Sequence, residues 1–176
     1  MIPQGALIAY LLAAARTWAP IGWHDFTKVP RAETEARYLA IVTDLANVAL
    51  DPAEAPLFGD ELGRAKTALL MLAIASYESG GFRADVDQQD HASGDGGHAW
   101  CLAQLHEPYA KGLTDRISCF RAELRALHDS WALCPTGPTS TRLTGYTVGH
   151  CEPDEPEAVH RSDRAARWWT SHPWVH

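Results

Sequence analysis

The sequence predicts a mainly α domain of the α+β class, a helical body carrying a small β-hairpin lobe. Three observations lead there. Apolar residues recur at helical spacing over residues 5–18 and 33–50. A run that is apolar nearly all round, LLMLAIASY, fills residues 69–77, as in a central helix packed on every side. Residues 83–99, RADVDQQDHASGDGGHA, have no helical period and are rich in Gly, Asp and Ser, which is turn chemistry. A chain of 176 residues suits one core. The expected organisation is a single domain over 1–176. Residues 1–60 form a helical extension packed on a central part, 61–150, and 151–176 form a helical tail.

The first helix, 5–18, places Leu7, Ile8, Leu11, Leu12, Ala15 and Trp18 on one face, and Pro20 and Gly22 end it. GWHDFTKVP reads as a loop. The second helix runs from Glu33 to Leu50, with Tyr38, Ile41, Val42, Leu45, Val48 and Ala49 at i, i+3, i+4, i+7 spacing. Asp51 and Pro52 stop it, and DPAEAPLFGD is a Pro-rich connection. The central helix spans about Glu61 to Ser79. Gly80 fits a left-handed cap, and Phe82 supplies the apolar contact that accompanies one. Residues 83–99 read as a hairpin or irregular lobe closing with HAWCLAQL. A further helix, Asp115 to Leu133, carries Phe120, Leu124, Leu127 and Trp131 on one stripe, with Thr114-Asp115 as N-cap. CPTGPTST is a loop. Residues 140–149 form a short helix, and Glu155 to Trp169 the last one.

Charge and cysteines narrow the function classes. Lys and Arg number 15 against 22 Asp and Glu, a net charge of −7. Phosphate binding needs a basic surface, so nucleic acid is excluded as a main partner. A sugar polymer, read by hydrogen bonds and stacking, is not. Seven tryptophans are read first as core packing. No stretch approaches the roughly 20 apolar residues of a membrane span. GALIAYLLAAA lacks a positive n-region and is a poor signal peptide. Cys101, Cys119, Cys134 and Cys151 have no zinc-type spacing. Their even number points to two disulfides and an oxidising compartment. A continuous helix over 119–133 would hold Cys119 and Cys134 about 22 Å apart, beyond the ~7 Å a disulfide tolerates. That pairing is excluded; the other two connectivities stay open.

The stretch AIASYESGGF, residues 73–82, raises the functional question, because the buried run ends in a carboxylate, Glu78. Burial disfavours its charge, and so does the partial negative charge of a helix C-terminus. A carboxylic acid with a raised pKa is what a general acid needs near neutral pH. From position alone, a side chain pointing into solvent is an equal reading.

AIASYESGGF resembles the Glu-Ser-Gly-Gly stretch of the soluble lytic transglycosylase and goose-type lysozyme superfamily. Three further segments follow in that family's order. CLAQL, 101–105, resembles its Gly-Leu-Met-Gln-Ile segment through Leu102 and Gln104. TDRISCFRAELRAL, 114–127, loosely resembles its Asp-Pro-Glu-x-Asn-Ile-Arg-Ala-Gly helix. LTGYTVG, 143–149, resembles its Ala-Ala-Tyr-Asn-Ala-Gly segment through Tyr146 and Gly149. The departures are Cys101 for Gly, Ala103 for Met, Thr147 for Asn, and a longer, acidic stretch between the first two segments. The first 60 residues carry no part of the likeness.

The resemblance implies a lysozyme-like fold. It also implies cleavage of the β-1,4 bond after N-acetylmuramic acid in peptidoglycan, with no cofactor or metal. Glu78 would be the one acid/base, and Ser79, Gln104, Tyr146 and Thr147 the substrate contacts. Hydrolysis in place of cyclisation would need a second carboxylate to hold a water. The candidates are Asp85, Asp87, Asp90 and Asp95, which otherwise read as a solvated acidic loop. With His91 and His98 they lack the order of an EF-hand. Trp100 is read as lining the groove or filling the core. The tail's Trp168, Trp169 and Trp174, with Arg161, Arg164 and Arg167, are read as docking on the domain or as binding glycan or a partner. The partners expected are peptidoglycan glycan strands and other phage or cell-wall proteins. The expected location is extracytoplasmic: periplasmic, secreted or phage-associated. A non-catalytic wall-binding or virion protein on the same fold is the rival reading.

Overall fold

The computed structural model describes residues 2–22, 29–87 and 92–174. Six helices carry the fold among these residues: α1 (Gln4–Trp18), α2 (Arg31–Leu50), α3 (Gly63–Glu78), α4 (Arg116–Leu133), α5 (Thr139–Thr147) and α6 (Pro156–Ser171). The architecture is mainly helical. Among the described residues, strand is confined to β1 (Ala92–Gly94) and β2 (Ala99–Trp100), an antiparallel ladder with Ala92 opposite Trp100 and Gly94 opposite Ala99. Among the described residues, the hairpin lobe expected over 83–99 comes to this ladder and the 3₁₀ turn inside it, Asp95–Gly97. Most of the GWHDFTKVP loop, with Asp90 and His91, lies outside the described residues.

All six helices feed one cluster of buried apolar side chains. α1 buries Leu7, Leu11, Ala14 and Ala15, and α2 buries the face read from its spacing, Tyr38 to Ala49. α3 is buried continuously from Thr67 to Ser76, so it is the central helix its composition predicts. It packs against α1, α2, α4 and α6. Its end is a Schellman motif: Gly81 N–H donates to the Ser76 carbonyl at 2.7 Å and Gly80 N–H to the Tyr77 carbonyl at 3.2 Å. Gly80 and Gly81 have φ of 60° and 88°, values glycine adopts without a Cβ clash. Phe82 then turns back, also at positive φ, and stacks edge-on against Tyr38 at 5.4 Å.

α4 begins with a capping box. Asp115 accepts from Ser118 N–H at 2.7 Å, and Ser118 Oγ accepts from Asp115 N–H at 3.0 Å. Two disulfides are present, Cys101–Cys119 and Cys134–Cys151. The first ties the turn after β2 to the start of α4. The second ties the end of α4 to the connection between α5 and α6. A smaller buried cluster, Cys101, Ala103, Leu105, Ala110, Cys119, Ala122 and Ala126, sits between that turn and α4.

The tail docks on the body. α6 packs on α3 and α5, and Tyr10 of α1 meets the rings of Trp168, Trp169 and Trp174 edge-on at 5.3–6.3 Å. Trp131 and Trp168 are buried, and Trp18, Trp100, Trp169 and Trp174 pack partly buried on the two clusters. No helix among the described residues is long and apolar enough to cross a membrane.

Candidate functional site

Glu78 is the last residue of α3, and its side chain is 19% exposed. It borders a cleft of about 360 Å³ walled by the turn after β2, α4, α5 and α6. Gln104, Tyr146 and Thr147 line the same cleft. Of the five site residues expected from the sequence, four therefore meet in one place.

Ser79 does not. It is 1% exposed. Its Oγ donates to the Ala75 carbonyl at 2.6 Å and accepts from Phe82 N–H at 2.8 Å. Both hydroxyl functions hold the helix end and the turn beyond it, the local side-chain-to-backbone pattern usual for serine.

Each of the other three is held by local packing. Gln104 sits in a tight turn in which its own N–H and its side-chain Nε2 both donate to the Cys101 carbonyl, at 3.1 and 2.8 Å. Cys101 and Gln104 both have positive φ, 56° and 48°. Tyr146 rides on α5, which crosses α4 closely because Gly145 has no side chain: a Cβ there would lie 2.7 Å from Ser130 Oγ and 3.0 Å from Ser130 Cα. Ser130 Oγ accepts from Tyr146 N–H at 2.9 Å, and the Tyr146 hydroxyl donates to the Ala103 carbonyl at 2.6 Å. Thr147 Oγ1 donates to Glu155 Oε2 at 3.0 Å. Glu155 also accepts from Glu157 N–H and Ala158 N–H at the start of α6. One carboxylate thereby joins α5 to α6 beside the cleft.

The charge at Glu78 is shared. Arg161 of α6 donates to Glu78 Oε1 from Nε at 2.9 Å and from Nη2 at 2.5 Å. The same Nη2 donates to Glu157 Oε2 at 3.1 Å. Arg161 is 3% exposed, and its guanidinium lies 4.4 Å from the Tyr77 ring centroid. Burial is the largest influence on the Glu78 pKa and raises it; the charge and hydrogen bond of Arg161 pull it down without cancelling that rise, and Glu157 adds to it.

A further carboxyl lies behind the wall. Glu123 of α4 is fully buried, and neither of its oxygens has a hydrogen-bond partner among the described residues. Burial first, and the charge of Glu78 second, push its pKa well up. The Tyr146 hydroxyl is pushed well up by burial, with Glu123 and Glu78 adding to it.

The aspartates expected to supply a second carboxylate are elsewhere. Asp85 pairs with Arg83. Asp87, its side chain 1% exposed, accepts two bonds from Arg116 at 2.7 Å. Asp95 faces His106 at 3.6 Å. None of these three lines the cleft; Glu107, Asp129 and Glu157 do. Asp129 accepts from the Tyr109 hydroxyl at 2.6 Å. The described residues hold no group of three or more His, Cys, Asp or Glu able to bind a metal ion.

Sequence reasoning missed Glu123, Glu157 and Arg161 as partners of Glu78. Glu123 was legible: it falls between Phe120 and Leu127 at the i+3 and i+4 steps of the apolar stripe, where a charge does not belong. Glu157 and Arg161 stand four apart on one helix, an ordinary surface pair from sequence. Only the docking of α6 turns them to Glu78.

No family model matches the chain, and neither a curated protein nor a solved structure matches it.

Proposed function

We propose that the protein is a peptidoglycan lytic transglycosylase on a lysozyme-like α+β fold. The observation that carries this reading is the convergence of Glu78, Gln104, Tyr146 and Thr147 on one cleft. They come from three of the four segments that resemble the soluble lytic transglycosylase and goose-type lysozyme superfamily. A second observation supports the match at Cys101. That position, glycine in the family, has φ of 56° here, a conformation that favours glycine. The departure in residue type thus leaves the backbone in a glycine-like turn, held by the disulfide to Cys119. The ladder of β1 and β2 is read as the reduced lobe of that fold.

In the proposed reaction Glu78 starts as the acid. Its proton goes to the glycosidic oxygen, the C1–O bond breaks, and N-acetylglucosamine leaves with a free 4-hydroxyl. The N-acetyl oxygen of the muramic residue shares the positive charge at C1. Glu78, now a carboxylate, takes the proton of the C6 hydroxyl as O6 bonds to C1. The product is a 1,6-anhydro-muramic end, Glu78 is protonated again, and no water is consumed. Gln104 has an amide suited to a sugar amide, and the Tyr146 hydroxyl lies within electrostatic reach of Glu78. Two disulfides fit an oxidising compartment, so the reading extends to an extracytoplasmic, phage-associated or secreted enzyme acting on glycan strands.

One observation favours hydrolysis as a second reading. Glu157 Oε2 and Glu78 Oε1 bond the same nitrogen, at 3.1 and 2.5 Å. Those two oxygens are therefore less than about 6 Å apart, short of the roughly 6.5–9.5 Å that leaves room for a water between an inverting pair. Mass spectrometry of muropeptides released from purified peptidoglycan by wild type and Glu78→Gln separates the readings. Anhydro ends lost in the variant are the expected result. Reducing ends lost in the variant make it a lysozyme. No release by the wild type means the cleft serves binding alone.

A further inference from the structure

Glu78 must be protonated for the first half of the proposed reaction and ionised for the second. A fixed ion pair serves only the second state. The contact between Arg161 and Glu78 is not exclusive, however. One nitrogen, Nη2, bonds Glu78 and Glu157 together, and Arg161 Nη1 is buried with no hydrogen-bond partner among the described residues. The two acceptors differ in freedom. Glu78 ends the central helix and is mostly enclosed, whereas the Glu157 side chain is 54% exposed and starts one helical turn before Arg161 on α6. A small rotation of the guanidinium therefore suffices to give up one carboxylate and keep the other.

We propose that Arg161 is a positioning residue for Glu78, a guanidinium that moves between Glu78 and Glu157 as the reaction proceeds. The role rests on the transglycosylase reading above. With the glycan in the cleft, Arg161 bonds Glu157, and Glu78 keeps its proton for the glycosidic oxygen. Once that proton is given, Arg161 returns to the Glu78 carboxylate and holds it ready for the C6 hydroxyl. Glu123 of α4, Tyr146 of α5 and His106 before α4 also interact electrostatically with Glu78, and Glu107 and Asp129 line the same cleft. Glu155 also faces Arg161. Burial pushes the Glu123 carboxyl and the Tyr146 hydroxyl up, towards their neutral forms, and the exchange of Arg161 is the charge movement at Glu78 itself.

The test follows the Glu78 carboxyl by its ¹³C chemical shift through a pH titration of the full chain. It compares wild type, Glu157→Gln, Arg161→Gln and the double variant. Removing Glu157 leaves Arg161 on Glu78 and is expected to lower the Glu78 midpoint by about one pH unit. Removing Arg161 is expected to raise it. In the Arg161→Gln background, Glu157→Gln is then expected to move the midpoint by less than about a third of that unit. An equal drop in both backgrounds means that Glu157 acts on Glu78 by direct repulsion, and overturns the shared guanidinium. Arg161→Lys guards against a misfolded glutamine variant. A lysine bonds as a point charge and not as a fork, and its midpoint is expected between those of wild type and Arg161→Gln; a midpoint equal to wild type counts against the proposal. Turnover separates this from the function itself. In Glu157→Gln, kcat is expected to fall about tenfold on the alkaline side with KM unchanged. Midpoints that move as expected in a wild type that releases no muropeptides would sink the transglycosylase reading and leave the exchange standing. Midpoints that stay fixed in an active wild type would do the reverse.

Discussion

Ser79 and Glu78 are neighbours with opposite fates, decided by where one turn of backbone goes. The Ser79 hydroxyl is consumed at the helix end, bonding the Ala75 carbonyl and Phe82 N–H. Ser79→Ala is expected to leave that buried N–H without its acceptor. The cost is about 1–3 kcal/mol of stability, with KM and kcat of the proposed glycan cleavage unchanged. Denaturant unfolding beside steady-state kinetics checks it; a raised KM would return Ser79 to the substrate contacts. Glu78→Gln should keep the fold, since an amide occupies the same volume, and should abolish the proposed glycan cleavage. The contrast between the two variants, one losing stability and the other turnover, is the residue-scale signature of the site.

At the scale of elements, the cleft depends on how α5 lies against α4. Gly145 is the point of contact, where a methyl group would meet Ser130 at 2.7–3.0 Å. Gly145→Ala is expected to push α5 outward and break the bond from Tyr146 N–H to Ser130. The cost is about 1–3 kcal/mol, and the proposed turnover falls with it because Tyr146 and Thr147 move. Thermal unfolding and kinetics on the same sample test this. The second disulfide closes a loop that contains α5, with Cys134 and Cys151 separated by 17 positions. Reduction of both disulfides is expected to cost about 2–4 kcal/mol for each. Unfolding followed with and without a thiol reductant measures it, and an unmoved midpoint would show that the helices hold without the links.

For the whole molecule, Glu123 sets a pH dependence of stability. Its folded pKa lies well above the ordinary carboxylate value because it is buried beside Glu78. Below the ordinary value the group is protonated in both states, and the fold carries no penalty. As pH rises past that value, the unfolded chain releases the proton and the folded chain does not. Stability therefore falls, until the folded carboxyl also ionises. The loss is about 1.4 kcal/mol for each pH unit over which the two states differ by one proton. Glu123→Gln does not titrate, so the variant is expected to gain on the wild type steadily from acid to neutral pH. Urea unfolding of both proteins across that range tests it; parallel curves would mean that Glu123 is ionised in the fold.

Helix positions were legible because periodicity and end signals are local. The faces of α1 and α2, the buried run of α3 and the cap of α4 at Asp115 follow from spacing and residue type alone, and α5 and α6 begin within one residue of the expected starts. The start of α2 at Arg31 differs by two residues because Pro30 sits at the N-cap, as proline is tolerated only at a helix start. Within the candidate site, Glu78, Gln104, Tyr146 and Thr147 were legible through motif resemblance and Glu123 through its misplaced charge. The sequence by itself determined a mainly helical chain with four paired-or-buried cysteines and an acid at the end of its central helix. Tertiary structure alone decided which cysteines pair, that Ser79 is spent on the backbone, that the acidic 83–99 stretch supplies no described carboxylate to the cleft, and that Arg161 and Glu157 reach Glu78 across 83 and 79 positions of chain. The physical reason is range. Propensity, capping and turn chemistry act over a few residues, whereas a buried charge is set by whichever elements pack around it.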